Sequence, residues 1–456
     1  MQENFCDFKT LMMSQDSSES DEKILKELSA KKIVPEYLER AILEILQPEF
    51  SGQKKSLAQM IDEFKKKKSA VLENVNELIE TFKTSNVNIG YNQVAEAYLL
   101  RYFLINLYKI WTPLTDLLVR DKLFFDLDVL DVGTGPGSCI IGLIEFYAIL
   151  ARNNPDIQFE IRVGLLERNA TFLNYAEKMF EVERRNVPHN LKIERKKCNS
   201  LIDVAASTQL SELGQYDIIT CSNFFTKIEH YIPEEHINET IGIIDNLKKN
   251  LNKNGSLIII EPGKAEHNKA IKEAVARLKE ESKQSEHPWN EYSPCLNVWH
   301  NKETCCKCFG VCRAFWKTPK IFEHFNFSDP GLVFTYKVLR IDGERKYPVM
   351  TTNSEFIELK DVGKSLDNTI NVKGFIGAIL DGKGESKYFS ICDGTLYGAK
   401  SVKLWLSESA KNKMEFSGSI NGGELVVVRG THVVWNECYN NYQLKCDENT
   451  KIEFFC

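Results

Sequence analysis

The chain has 456 residues and carries 58 Lys and Arg against 64 Asp and Glu, a net charge of −6, with 43% hydrophobic and 27% charged residues. That balance fits a globular protein of two or three domains and excludes a collagen-like, disordered or fully coiled-coil chain. It also excludes nucleic-acid binding driven by overall positive charge and leaves that role to local basic patches.

Residues 1–20 are polar and rich in Ser and Asp, the composition of a flexible tail. The acidic start (Glu3, Asp7, Asp16, Glu19, Asp21, Glu22) lacks the basic segment and apolar run of an export signal. No apolar stretch approaches the roughly 20 residues of a membrane span. The best candidate, Ala97 to Trp111, is broken by Arg101 and Lys109. The expectation is a cytoplasmic protein, or one of another reducing compartment, neither secreted nor membrane-bound. An odd count of 13 cysteines argues against a disulfide framework.

Residues 21–118 have helical apolar spacing (Ile24, Leu25, Leu28; Ile42, Ile45, Leu46; Val71, Val75, Leu78, Ile79, Phe82). The Lys65–Lys68 run reads as a solvated helix face. From about 119 the texture changes. Short apolar runs at Asp128–Val132, Ile161–Leu166, Lys192–Lys196, Asp217–Cys221 and Ser256–Glu261 alternate with amphipathic helical stretches, which implies an α/β domain with a mainly parallel sheet.

The first of these strands runs into Asp131-Val132-Gly133-Thr134-Gly135-Pro136-Gly137-Ser138. Glycines let the backbone turn sharply and approach a ligand, and the helix that follows offers free N–H groups and a positive dipole end. The glycines at 133, 135 and 137 do not fit the dinucleotide fingerprint G-x-G-x-x-G. The D-x-G-x-G-x-G spacing resembles motif I of class I S-adenosylmethionine-dependent methyltransferases. That resemblance implies a cofactor site at Asp131, Gly133, Gly135 and Gly137. Glu167, at the end of the second strand, would accept bonds from ribose hydroxyls. Asn199 after the third strand and Ser222 after the fourth complete the expected set. The fourth strand ends in Ser222-Asn223-Phe224-Phe225, so the N/D-P-P-Y/F element of amino-group methyltransferases is absent and the catalytic residue stays unassigned.

A charged helix after 263 leads to Cys295, Cys305, Cys306, Cys308 and Cys312. C-x2-C at 305 and 308, C-x3-C at 308 and 312, and Cys295 from the preceding loop supply four thiolates. These fit structural zinc or an iron–sulfur cluster, and the lack of a second C-x2-C knuckle favours a 4Fe–4S cluster. Cys306 is the alternate for Cys305, and His300 could bind through nitrogen. Lys302, Lys307, Arg313, Lys317 and Lys320 oppose only Glu303 here, and with Trp299, Phe315 and Trp316 they suit RNA phosphates and bases. The segment Gly331–Ile341 reads as a return strand.

Residues 346–456 close the chain with short alternating strands: Ile370–Ile379, Lys387–Cys392, a turn at Asp393-Gly394, Thr395–Gly398, Val402–Leu406, Glu424–Val434, Tyr442–Cys446 and Lys451–Phe455. Asn371–Phe375, Phe389–Thr395, Val402–Trp405 and Gly423–Gly430 resemble an oligonucleotide-binding (OB) barrel of the single-strand-binding type. Such barrels use aromatic stacking and basic side chains, here Phe389, Trp405 and Lys373.

Taken together, Ala97–Tyr102, Asp131–Gly137, Leu257–Gly263, and Ser293-Pro294-Cys295 leading to Val311–Phe315 resemble the methyltransferase-like small-subunit ribosome assembly proteins, over about residues 85–340. The resemblance implies a class I (Rossmann-like) domain over 119–345 that binds S-adenosylmethionine, RNA as partner (small-subunit rRNA or its precursor), and a cluster held by Cys295, one of Cys305, Cys306 or Cys308, and Cys312. No cysteine falls between Cys312 and Cys392, so the fourth ligand is open. Two other functions stay open: a non-catalytic assembly factor with an iron- or redox-sensing cluster, and a methyltransferase or repair factor directed at single-stranded DNA.

Overall fold

A computed structural model describes residues 23–24, 27–28, 33–84, 91–196, 213–225, 233–263, 265–294, 312–313, 317–327, 333–346, 354–381, 387–393, 395, 402–407, 425–438 and 440–455. The chain divides into two compact units: residues 1–229, 242–261 and 314–332, and residues 230–241, 262–313 and 333–456.

Among the described residues, the first unit has helices α1 (Glu36–Leu46), α2 (Leu57–Lys67), α3 (Ser69–Thr84), α4 (Tyr91–Asn106) and α5 (Trp111–Leu118) ahead of its first strand. α2 opens on a capping box, in which the Ser56 hydroxyl accepts from Gln59 N–H and the Gln59 side chain accepts from Ser56 N–H. The strands are β1 (Asp126–Val132), β2 (Phe159–Leu166), β3 (Leu191–Arg195), β4 (Tyr216–Ser222) and β5 (Leu251–Pro262), with α6 (Ser138–Asn153) and α7 (Ala170–Arg184) as crossovers. They lie in the order β3-β2-β1-β4-β5, every pair parallel. This is the doubly wound arrangement expected from alternating strands and helices. The order reverses beside β1, where such sheets leave a crevice at the strands' carboxyl ends. β1 is buried from Val129 to Val132, as a central parallel strand must be.

α6 is buried from Ser138 to Ala151. A helix apolar on all sides needs cover on all sides, and the N-terminal helices supply it. Trp111 Nε1 donates to Gly142 O at 2.8 Å. A Cβ on Gly142 would stand 1.8 Å from Leu107 O, so the corner between α4 and α5 rests directly on α6 backbone. Helix α10 (Lys320–Phe325) belongs to this unit. Its Ile321 N–H donates to Glu39 Oε2 at 2.7 Å, and the buried Arg101 guanidinium lies 4.6 Å from the Phe322 ring centre.

Helix α8 (Pro233–Leu247) lies between β4 and β5 in sequence. The second unit holds α9 (Ala265–Glu281), β6 (Asn290–Ser293), β7 (Cys312–Arg313) and β8 (Val333–Arg340), with β6 and β7 each antiparallel to β8. Buried Lys337 and Glu291 pair at 2.5 Å between β8 and β6.

The strands that follow are β9 (Thr369–Asp381), β10 (Lys387–Cys392), β11 (Val402–Leu406), β12 (Leu425–Asn436), β13 (Asn441–Cys446) and β14 (Lys451–Phe455). β9 pairs with β10, β10 with β11, β11 with β13, β13 with β12, and β12 with β9, so five strands form a closed ring. Only the β11–β13 pair is parallel. The interior is filled by Val372, Ile376, Phe389, Ile391, Leu404, Val426, Val428 and Leu444 among others. The expected turn begins with Asp393, whose carboxylate accepts from Thr395 N–H at 2.8 Å and Leu359 N–H at 2.6 Å. The expected strand Thr395–Gly398 lies outside the described residues except Thr395, which is not in a strand.

Gly142→Ala tests the packing of the first unit. The clash is with backbone, which cannot rotate away, so the substitution is expected to cost about 2 kcal/mol or more despite alanine's better helix propensity. Denaturant unfolding checks it, with Gly242→Ala in α8, whose Cβ would meet nothing within 4 Å among the described residues, as the control expected to lose no stability.

Candidate cofactor site

The glycine loop is built by backbone bonds to the end of β2. Gly133 and Thr134 N–H both donate to Leu166 O, at 2.8 and 3.0 Å, and Gly137 N–H donates to Thr134 O at 3.0 Å. Gly133, Gly135 and Gly137 have φ of +67°, +55° and +92°, the left-handed region that a side chain makes costly. Gly133 has a further reason to be glycine: its Cβ would lie 2.4 Å from the Phe224 ring. Gly137 precedes the first residue of α6, and Ile141 N–H donates back to its carbonyl at 3.0 Å.

Glu167 clamps this loop. One carboxylate oxygen accepts from Gly135 N–H and the other from Asn169 N–H, each at 2.8 Å. Asn169 in turn caps α7 through Thr171 and Phe172 N–H. Each Glu167 oxygen keeps a second lone pair, so the expected ribose contact is compatible with the clamp.

Asp131 is 1% exposed at the end of β1. Its Oδ1 accepts from the Thr220 hydroxyl at 2.6 Å, while Oδ2 is buried and meets no hydrogen-bond donor among the described residues. Burial, opposed by the hydrogen bond from Thr220, raises its pKa to about 7. The cleft beside it has about 300 Å³ of free space, part of it open to solvent. It is lined by Tyr98 and Asn106 of α4, Asp131, Gly133–Pro136, Ser138, Cys139, Ser222 and Asn223.

Across the cleft, the exit of β4 is tied down. Asn223 (φ +51°) donates its N–H to Ile260 O at 2.7 Å, and Phe224 and Phe225 N–H both donate to Glu261 Oε1 at 2.9 Å. Lys109, buried in the corner between α4 and α5, brings Nζ to 3.5 Å from Asn223 Oδ1. Burial lowers its pKa to about 8, and the Glu261 carboxylate pulls the other way.

Of the expected cofactor residues, the structure gathers Asp131, Gly133, Gly135 and Ser222 around the cleft, with Gly137 and Glu167 shaping the loop. Asn199 lies outside the described residues. Tyr98, Asn106 and Lys109 are not among the expected set. Tyr98 lies in the aromatic-rich stretch Ala97–Tyr102, and in sequence Lys109 reads only as a break in an apolar stretch.

The expected metal ligands Cys295, Cys305 and Cys308, and the basic residue Lys307, lie outside the described residues. Cys312 and Arg313 are described only as the backbone of β7. Among the described residues no group of three or more His, Cys, Asp or Glu could hold a metal ion, and no helix is long and apolar enough to cross a membrane. Lys317 is exposed. Phe389 is 1% exposed, in the buried cluster within the strand ring, which corrects its expected role: a ring enclosed there cannot stack on a base. Lys373 lies 4.2 Å from the Phe356 ring centre, and Trp405 is half-buried with Lys445 Nζ 5.6 Å from its ring centre.

The raised pKa of Asp131 has a stability consequence. Its folded value, about 7, lies above the 3.8 of a free carboxyl, so between pH 4 and 7 the folded state binds more protons and loses stability as pH rises. The loss is of the order of 4 kcal/mol at most by pH 8. Asp131→Asn keeps a neutral isostere and is expected to escape this loss, melting above wild type at pH 8 and near it at pH 5. Thermal denaturation across that range checks the sign.

A methyltransferase-domain family model matches residues 125–317. The chain is similar to the solved S-adenosylmethionine-dependent methyltransferase of Clostridium acetobutylicum ATCC 824, at 14% identity over 56% of this chain and 99% of that one, with a TM-score of 0.27. It is similar to a putative class I S-adenosylmethionine-dependent methyltransferase of Listeria monocytogenes, at 10% identity over 74% and 92%, with a TM-score of 0.29. It is also similar to NSun6 of Pyrococcus horikoshii, at 13% identity over 48% of each chain, with a TM-score of 0.28. No curated protein matches the chain. The glycine loop and the doubly wound parallel sheet agree with the family match: residues 125–317 are similar to a methyltransferase domain.

Proposed function

We propose that the chain binds S-adenosylmethionine in the cleft at Asp131–Gly137 and acts on, or helps assemble, small-subunit rRNA. One observation carries the cofactor reading. A buried carboxylate with one unpartnered oxygen faces a cleft floored by left-handed glycines. Such a group is costly unless a cation or donor reaches it, and the cofactor's amino-acid end brings an ammonium. Asp131 would hold that cation, the loop backbone would lie against the nucleoside, and Tyr98, Asn106, Ser222 and Asn223 would form the walls. When bound, the cofactor supplies a methyl group activated on sulfur. The protein's contribution is alignment and exclusion of water.

RNA is the proposed acceptor, and the closed strand ring of the second unit is read as an OB barrel that holds it. Support comes from the register. Trp405 and His432 each stand opposite Lys445 on neighbouring strands, a row on the side away from buried Leu404, Val433 and Leu444. Aromatic and basic side chains together suit single-stranded nucleic acid. The 4Fe–4S cluster at Cys295, Cys305, Cys308 and Cys312 is proposed on sequence spacing alone, with zinc as the alternative.

A second reading, a non-catalytic RNA-binding assembly factor, is favoured by the end of the fourth strand, Ser222-Asn223-Phe224-Phe225, which offers no carboxylate or lysine as a base.

Calorimetry with S-adenosylhomocysteine tests the cofactor reading. Gly135→Arg is the test variant, because Gly135 lines the cleft and, among the described residues, only Gly133 O, at 4.0 Å, lies near the place a Cβ would take. Wild type is expected to bind and Gly135→Arg to lose binding at least 100-fold while staying folded. Absence of binding to wild type would favour the assembly factor. Crosslinking and sequencing of bound nucleic acid is expected to return small-subunit rRNA, and recovery of DNA alone would sink the RNA assignment. Anaerobic purification with elemental analysis decides the metal: a coloured, iron-loaded protein is expected, and a colourless protein with stoichiometric zinc would overturn the cluster.

A further inference from the structure

Three oxygens from three helices meet at one point of the first unit. Tyr37 of α1 places its hydroxyl within hydrogen-bond distance of Glu145 Oε1 on α6 and 3.0 Å from Glu183 Oε2 on α7. Glu183 is 0% exposed and Glu145 7%. Each contact needs a proton between its two oxygens, and a phenol carries only one. Tyr37 can donate to a single carboxylate, so the second contact closes only if a carboxyl supplies the other proton. Glu183 is the group placed to supply it. Its Oε1 is buried with no hydrogen-bond partner among the described residues. A charge there would be costly, and a neutral carbonyl less so. Burial and the Glu145 charge both raise its pKa well above 4.5, opposed by Tyr37 and by Arg152 near the end of α6. Arg152 is exposed, and solvent screens its charge. The other titratable groups near this point, among the described residues, are Tyr108, whose hydroxyl donates to Ile33 O at 2.9 Å, and Glu39 of α1, which accepts from Ile321 N–H. Neither brings a positive charge that could replace the proton. The hydrogen bonds then run in one line: the Glu183 carboxyl donates to Tyr37 Oη, and Tyr37 donates to the Glu145 carboxylate.

Tyr37 reaches this point from α1, so the contact fastens that helix to the two helices that start at Gly137 and Asn169. We propose that Glu183, Tyr37 and Glu145 form a proton-locked joint that holds α1 on α6 and α7, closed while Glu183 keeps its proton and opened when solvent takes it. Without that proton, two carboxylates face one phenol O–H. One oxygen contact is left with no hydrogen in it, and a second buried charge is left without a counter-ion. Withdrawing Tyr37 with α1 relieves both, because it parts the oxygens and lets water reach them. The folded chain holds the proton above pH 4.5, where a free glutamate has lost it. The joint is therefore at full strength below pH 4.5 and weakens as pH rises. It belongs to the helical cover and is independent of what the cleft binds.

Hydrogen exchange of the full chain at pH 5 and pH 8, corrected for the intrinsic rate at each pH, reads the joint through the α1 amides, with β1 amides as the reference for global opening. In wild type the α1 opening constant is expected to rise from pH 5 to pH 8 by about ten-fold or more beyond that of β1, a factor of ten for each unit by which the fold raises the acid. Glu183→Gln is neutral at both pH values, and its NH2 can take over the bond to Tyr37 Oη, so its α1 opening is expected to lose this pH dependence. Equal pH dependence in the two proteins, or a rise that the β1 amides share in full, overturns the proposal. Glu145→Gln removes the charge that Glu183 would face and is expected to flatten the wild-type profile in part. An unchanged profile overturns the proposal even where Glu183→Gln fails to fold. Infrared difference spectra of wild type against Glu183→Gln at pH 7 look for the proton itself. A carboxylic-acid C=O band is expected in wild type and not in the variant, and its absence from wild type sinks the joint.

Discussion

Asp131 ends the central strand of the first unit with one oxygen paired to Thr220 and the other buried without a donor among the described residues. An unmet buried acceptor costs about 1–3 kcal/mol, and a charged one more. The neighbouring groups follow from that cost. The loop beyond Asp131 must turn back at once, which it does through glycines at positive φ, and it must be held by something other than a ligand, which is the work of Leu166 O and the Glu167 carboxylate. The result is an acid poised near neutrality over a loop whose shape is set before anything binds. Preorganisation of this kind spares a ligand the cost of ordering the backbone.

The N-terminal helices are part of this device. α4 and α5 cover α6, which is too apolar to stand alone, and the corner between them approaches α6 so closely that Gly142 has no room for a side chain. The same corner carries Lys109 to Asn223, and α4 carries Tyr98 and Asn106 to the cleft. Packing and site construction are therefore one event. Glu261 completes the frame from β5, fixing the turn after β4 with two backbone bonds.

The second unit meets the same requirement for satisfied backbone in another way. Its five-strand ring leaves no free edge within the ring, and its interior is filled by large side chains such as Phe389. What remains outside, the row of Trp405, Lys445 and His432, is what a partner could meet.

Period and composition in the sequence determined the strands β1 to β5 to within a few residues, the loop at Asp131–Gly137, and the alternating strands of the closing segment. These are local properties: an apolar run of fixed length, a glycine where φ must be positive, a period of two. The sequence did not disclose that Phe389 points inward while Trp405 points outward, because strand parity needs a register and register comes from the partner strand. Nor did it disclose that Glu167 holds the loop, or that Lys109 meets Asn223 across 114 residues. A lysine inside an apolar stretch reads only as a break in that stretch. Lys109 meets Asn223 only once the corner between α4 and α5 is packed, and the burial that brings them within 3.5 Å also lowers the lysine's pKa.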